Sequence, residues 1–415
     1  SFMVSICVPQ ACTVKEALGG TIFNLTGDIG ENLSVLSSPK EANEIYSAFS
    51  VYKNSCKIIN LKTRSGTLEC LDGIRSLSII WVILGHTFAM GLFFPSNPLN
   101  AFEWYVSNKA IWIKTAPLAV DTFFLLSGLL VLLKNLHLFY LHRFLRLMPV
   151  LAAVILFVSS IQLHVGDGVV WGMVARNVEA CRCYWWSTLL HLQNFLNPRG
   201  CVGESWYMAI DMHLHILSPI VLFWIFSGAK RPAWIALLST FVTSLIAASI
   251  YIFLKDISDE NSNDKYIYYY ANILTRAPPF FVGMVYGYLL HTFRDKKCGL
   301  SKAAGYSLTI FVLALTALVL YCSHLHIHGD ISWAVEKIFL CFEKTTWVIC
   351  VGWIIFACVN GYAGPINWFL SMSVWKIPSR ISYSMYLSHM TIIMYAYHSS
   401  SLSPTYFTVP LFVST

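Results

Sequence analysis

Charge is scarce in this chain. Only 12% of its 415 residues are Asp, Glu, Lys or Arg, while 56% are hydrophobic. Soluble domains ordinarily carry about 25% charge, so the composition excludes a conventional water-soluble fold. Acids are rarer than bases, 21 against 28, which leaves a formal net charge of +7. That excess does not point to nucleic acid, because no basic face with interleaved aromatics is present. No convincing internal repeat is visible, and repeats are what many transporters are built from. Cys181 and Cys183 are too close in sequence for a zinc knuckle of the usual two-residue spacing. The first seventy residues contain no run long enough to cross a membrane.

What the chain does have is long apolar runs. A helix needs about 20 apolar residues to cross hydrocarbon. Such runs read as spans at 74–94, 115–133, 149–165, 209–227, 233–254, 271–291, 304–321, 338–359 and 381–398. A tenth starts at Tyr406 and is cut short at Thr415, so the C-terminus is expected to be truncated. Lipid demands internally satisfied backbones. The expected fold is therefore all-α, a polytopic transmembrane helix bundle of about 9–10 spans.

Loop charge gives the orientation. Lys53, Lys57, Lys62 and Arg64 precede the first span. Lys134, His137, His142, Arg143 and Arg146 follow the second, and Lys230 and Arg231 the fourth. Arg294, Lys296, Lys297 and Lys302 follow the sixth, and Lys376 and Arg380 the eighth. The alternate loops lack this excess; one is acidic, "KDISDENSNDK" from Lys255 to Lys265, and another is "HLHIHGD" from His324 to Asp330. Basic loops stay in the cytosol. This places 53–75 there and the loops at 166–205, 255–270 and 322–335 outside or in a lumen. Cys181, Cys183 and Cys201 share one of those outer loops, where one disulfide among the three is expected. Asn24 and Asn32 head glycosylation sequons, which need a lumenal location. Yet no span separates them from the basic cytosolic segment.

Polar residues inside spans are functional candidates by default. Arg75 and His86 are eleven residues apart, about three helical turns, so they share a face with His86 roughly 16 Å deeper. Asp72, one turn before Arg75, is expected to pair with it. Asp121 lies in the second span and Arg276 in the sixth. Asp211 and His215 share a face at i,i+4 and read as a structural pair, whereas His213 faces elsewhere. His389, near a helix end, reads as structural or interfacial. Arg143 and Arg146, at i,i+3, form a guanidinium pair suited to phosphate. Each has a plainer reading: Arg75 as a snorkelling anchor, His86 as helix–helix glue, the arginine pair as a lipid-headgroup anchor. Two function classes fit: a membrane enzyme with a phosphate-bearing cytosolic donor, or a transporter using buried charge as a relay.

Several blocks carry a resemblance. "CLDGIRSLSIIWVILGHTF" (Cys70–Phe88), "AVDTFFLLSGLL" (Ala119–Leu130) and "RFLRLMPV" (Arg143–Val150) resemble the acyltransferase 3 family of integral membrane acyltransferases. "WWSTLLHLQNF" (Trp185–Phe195), "SWYMAIDMHLHILSP" (Ser205–Pro219), "TRAPPFFVGMVYGY" (Thr275–Tyr288) and "RISYSMYLSHM" (Arg380–Met390) are similar to its animal, nose-resistant-to-fluoxetine branch. The resemblance covers about residue 47 to the end. It implies a multi-pass protein of the endoplasmic reticulum or plasma membrane. Such a protein moves an acyl group from cytosolic acyl-CoA to a hydroxyl or amine of a lipid or small molecule, with no metal. It implies His86 as general base and Arg75 as a donor-side or charge-stabilising group. Arg143 and Arg146 would be the holders of CoA phosphates. Asp121 is the carboxylate expected to orient His86. A covalent acyl-histidine and a transport role in lipid or drug handling stay open. The chain departs from the family at His213 and His215, where members carry Gln and an aromatic.

The resemblance also divides the chain. Residues 1–46, with "SICVPQACT" (Ser5–Thr13), resemble the end of a lumenal cysteine-rich domain and an irregular junction. Residues 47–73 form a cytosolic basic segment, and 74–415 the transmembrane acyltransferase domain. In the family an extra span separates the first two pieces. Its absence here accounts for the sequon conflict and points to a skipped exon, a gene-model error or a shortened chain.

Overall fold

The computed structural model describes residues 50–62, 67–92, 95, 97–131, 139–168, 171–196, 200–226, 229–257, 264–293, 299–327 and 332–398. Residues 1–46 and their sequons, Arg64, Lys134, His137, Arg294, Lys296, Lys297 and the start at Tyr406 lie outside the described residues.

Among the described residues the regular elements are all helices. We number the principal ones α1 (Val51–Ile59), α2 (Cys70–Gly91), α3 (Pro98–Val106), α4 (Leu118–Val131), α5 (Phe139–Leu156) and α6 (Trp171–Leu189). Then follow α7 (Trp206–Phe226), α8 (Lys230–Leu254), α9 (Ile273–Thr292), α10 (Lys302–Ile327), α11 (Trp333–Asn360) and α12 (Lys376–His398). Eight helical stretches are long and apolar enough to cross a membrane, and they coincide with the first eight expected spans. The ninth, α12, has 23 residues, long enough to cross. It falls short in apolarity because it carries polar side chains, among them the buried Ser379, Ser382, Tyr386 and His389. The protein is an all-α polytopic bundle.

Much of the outer surface is apolar. Along α8, Ile235, Leu238, Val242, Ile246 and Ile250 recur every three or four residues and are all exposed. Water would penalise such a stripe; lipid does not. The interior is close-packed by small residues. A Cβ on Gly128 of α4 would strike the carbonyl oxygen of Phe280 in α9, and one on Gly283 would strike that of Leu125. Bare glycine is what lets the two backbones touch. These contacts, and that of Asp121 with Arg276, make α4 and α9 parallel, as second and sixth spans must be. The first and ninth expected spans are parallel too: Arg75 faces Ser379 and His86 faces His389.

The segment at 166–205, expected as an outer loop, is not open loop. It folds as α6, which leans on α5 and α12. Arg182 Nε donates to the Ser159 carbonyl at 2.8 Å. Charges at Arg176, Glu179 and Arg182 hide this helix from a search for apolar runs. Cys181 pairs with Cys201, and Cys183 is free and exposed. On the other side, α1 is strapped to the start of α12. Arg380 Nη1 donates to the carbonyls of Lys57, Ile58 and Asn60 at 2.8, 2.8 and 2.5 Å, satisfying the open end of α1.

Candidate active site

Helix α2 serves two cavities. Near its start, Arg75 lines a space of about 630 Å³ with Arg143 and Arg146 of α5, Asp211 of α7 and Tyr383 and Tyr386 of α12. Near its end, His86 lines a second space of about 740 Å³ with Val82, Ala89, Phe102, Ile113 and Lys114. The helical face expected to hold both residues therefore does, and places them in different chambers.

The arginine chamber divides its cations by role. Arg143 is buried and its guanidinium meets three groups: the carboxylate of Asp211, His215 Nδ1 at 3.0 Å and Ser127 Oγ at 3.3 Å. Guanidinium only donates, so His215 Nδ1 accepts. Its ring stacks on Phe139, with centroids 3.9 Å apart. Asp211 and His215, expected to pair with each other, instead clasp Arg143 together. Arg146 is exposed and makes no hydrogen bond or ion pair among the described residues. The two arginines thus share a helix face but not a state: one is locally neutralised, the other is free for an anion. Arg75 does not meet Asp72 directly. Its Nη1 donates to Ser379 Oγ at 3.3 Å, and that hydroxyl donates to Asp72 Oδ1 at 2.6 Å.

In the second chamber the ring partner of His86 is a histidine. His86 Nδ1 lies 2.9 Å from His389 Nε2, and His389 Nδ1 lies 2.6 Å from the Tyr386 carbonyl. The ring centroids are 5.0 Å apart, so the rings meet edge to edge. Asp121, expected to orient His86, has another partner. Its Oδ1 accepts from Arg276 Nη1 at 2.6 Å, with both side chains 1% exposed. Arg276 also donates through Nε to the Tyr270 carbonyl at 2.9 Å, and its guanidinium lies 4.7 Å from the Tyr270 ring and 5.2 Å from Trp206. A π-helical turn, Lys265–Tyr270, brings that carbonyl and ring into place. The ion pair thereby braces an aromatic wall. Tyr270 faces the His86 chamber, while Tyr207 and Tyr386, 5.4 Å apart, face the arginine chamber. Tyr386 Oη donates to the Glu204 carbonyl at 2.7 Å, closing the wall toward the Cys181–Cys201 loop.

Two residues escaped the sequence reading as site members. His389 looked like a helix-end histidine, and Arg276 was noted without a partner. The only available signal was their position inside membrane-depth segments. Among the described residues, no group of three or more His, Cys, Asp or Glu side chains is placed to hold a metal ion.

The described residues thus form a membrane-type helix bundle in which one helix carries an intramembrane histidine and lines a cationic chamber. The acyltransferase domain family matches residues 68–415, and the chain belongs to that family, acyltransferase 3. It is similar to nose resistant to fluoxetine protein 6 of Caenorhabditis elegans, 29% identical over 87% of this chain and 49% of that protein. It also resembles regulator of hypoxia-inducible factor 1 of the same organism, 26% identical over 59% of this chain and 55% of that one. A Staphylococcus aureus protein named as a candidate O-acetyltransferase is 23% identical over 81% of this chain and 52% of its own length. The chain spans about half the length of the curated relatives it matches. No solved structure matches it.

Proposed function

We propose that the chain is a membrane-bound acyltransferase that draws an acyl group from acyl-CoA on the cytosolic side. It delivers the group to a hydroxyl or amine in the His86 chamber. The observation that carries this reading is that one helix face holds Arg75 in a cationic chamber and His86 in a largely apolar one. Arg146 and Arg75 would bind the CoA phosphates as forked donors. The two residues are separated by about 16 Å of helical rise, a span the flexible arm of CoA is built to bridge. His86 would take the acceptor proton as the acceptor oxygen or nitrogen attacks the thioester carbonyl. The C–S bond then breaks, and CoA leaves as a thiolate that regains the proton. The apolar walls around Phe102 and Ile113 favour an acceptor with an apolar body, a lipid or a hydrophobic small molecule.

On this reading residues 74–415 are the transferase domain, 47–73 its cytosolic segment and 1–46 part of a lumenal region. The protein would sit in the endoplasmic reticulum or plasma membrane. The test is thioester cleavage by detergent-purified protein, followed as free CoA thiol, with acceptor lipids present. His86→Ala is expected to abolish turnover and leave thermal unfolding unchanged. Full turnover in that variant would overturn His86 as the base, and solute flux into vesicles with no acyl donor and no thioester cleavage would overturn the reading in favour of transport.

A further inference from the structure

We infer that His389 is a positioning residue that fixes the tautomer of His86 and leaves the lone pair of His86 on Nε2; this rests on the reading of His86 as the general base. The chain of contacts starts from a group that cannot donate. The Tyr386 carbonyl only accepts, so His389 Nδ1, 2.6 Å away, carries a hydrogen. A neutral His389 then has a bare Nε2. The atom opposite is His86 Nδ1 at 2.9 Å, which must therefore carry the hydrogen of that contact. A neutral His86 with hydrogen on Nδ1 has its lone pair on Nε2.

The alternative is a His389 imidazolium donating from both nitrogens, which would reverse the assignment. His389 is 4% exposed, and a buried cation without a carboxylate is costly. Of the nearby carboxylates, Asp121 is engaged by Arg276 and Asp72 by Ser379, while Glu204 meets Tyr386 through its backbone carbonyl. Nε2 of His86 has no hydrogen-bond partner among the described residues, and the ring lines the 740 Å³ chamber. The carbonyl–His389–His86 chain thus orients one base nitrogen toward an incoming acceptor, as a carboxylate does in other histidine-dependent sites. When His86 takes a proton at Nε2, its Nδ1 proton can shift to His389 Nε2. Both rings keep their hydrogen bonds, and the positive charge is spread over the pair.

The experiment is 15N NMR of histidine-labelled, detergent-solubilised protein, with the His86 signals assigned by their loss in His86→Ala. The wild type is expected to show a pyrrole-type Nδ1 and a pyridine-type Nε2 for His86. His389→Ala should convert this to a tautomer mixture. His389→Gln should retain it, since its side-chain carbonyl can accept where Nε2 does. A pyrrole-type Nε2 on His86 in the wild type, or an unchanged spectrum in His389→Ala, overturns the inference. Turnover gives a second readout. His389→Ala should lower kcat on the order of 10²-fold with KM for acyl-CoA unchanged, and His389→Gln should recover part of it. Equal kcat in His389→Ala and wild type also overturns it. Loss of the base reading is seen separately, as turnover that survives His86→Ala.

Discussion

Asp121 and Arg276 lock helices α4 and α9 together through a 2.6 Å ion pair in which each side chain is 1% exposed. Removing one partner strands the other charge. Asp121→Ala is expected to cost about 3–5 kcal/mol of stability. Replacing both, as in Asp121→Leu with Arg276→Leu, should recover most of that loss. Thermal unfolding of the three variants in one detergent checks it. A small loss in Asp121→Ala with a large loss of turnover would return Asp121 to a direct catalytic role.

The two arginines of α5 should separate on mutation. Arg143→Ala leaves Asp211 buried without its cation and should destabilise by about 3–5 kcal/mol. Arg146 is exposed, so Arg146→Ala should change stability by no more than about 0.5 kcal/mol. On the proposed reading it should raise KM for acyl-CoA roughly tenfold, which corresponds to about 1.4 kcal/mol. Unfolding curves and steady-state kinetics on the same preparations distinguish the two.

The glycine contact sets the spacing of α4 and α9. Gly128→Val or Gly283→Val would push a side chain into the facing backbone. A loss of about 3 kcal/mol is expected, at the upper end for overpacking. The double replacement should be no better than either single one, because both enter the same crossing. Detergent-resistant yield and thermal unfolding read this out.

Acid should weaken the α6–α7 connection through His191. Burial, then the charges of His213 and Arg143, depress its pKa from 6.5 to about 4. The unfolded chain therefore binds this proton first. The stability is fully present above pH 6.5, is lost as pH falls from 6.5 to about 4, and levels off below. The total is on the order of 3 kcal/mol. His191 has φ +59°, so His191→Asn keeps a residue that tolerates the left-handed region. That variant should show a flatter stability profile between pH 4 and 6.5 in chemical denaturation.

Sidedness can be read from the free thiol. In sealed vesicles, an impermeant maleimide should reach exposed Cys183 from the side opposite Cys56. Cys181→Ser should cost about 3 kcal/mol by freeing a loop of 20 residues. Labelling of both thiols from one face would reverse the assigned topology.

Much of this protein was legible in its residues alone, because hydrophobic length and loop charge act locally. A run such as Ala304–Tyr321 has few structural alternatives in lipid, and the charge of each loop gives an expected orientation without reference to the rest of the fold. The 3.6-residue period also put Arg75 and His86 on one face, since that is a property of a single helix. Helix α6 escaped because it is amphipathic and charged, with no lipid-length run to mark it.

What periodicity cannot report is which side chain meets which across the bundle. His86 finds its ring partner 303 residues away, and Asp121 finds its cation 155 residues away. Asp121 was a sound candidate for orienting His86 on chemistry, yet helix packing delivered it to Arg276 and delivered His389 to His86. The same packing separated Arg143 from Arg146, neutralising one against Asp211 and leaving the other exposed. The sequence by itself determined the membrane bundle and the helix that carries the candidate base. Only the tertiary structure decided the partners, because each pairing depends on where distant helices cross and on the need to satisfy every charge buried there.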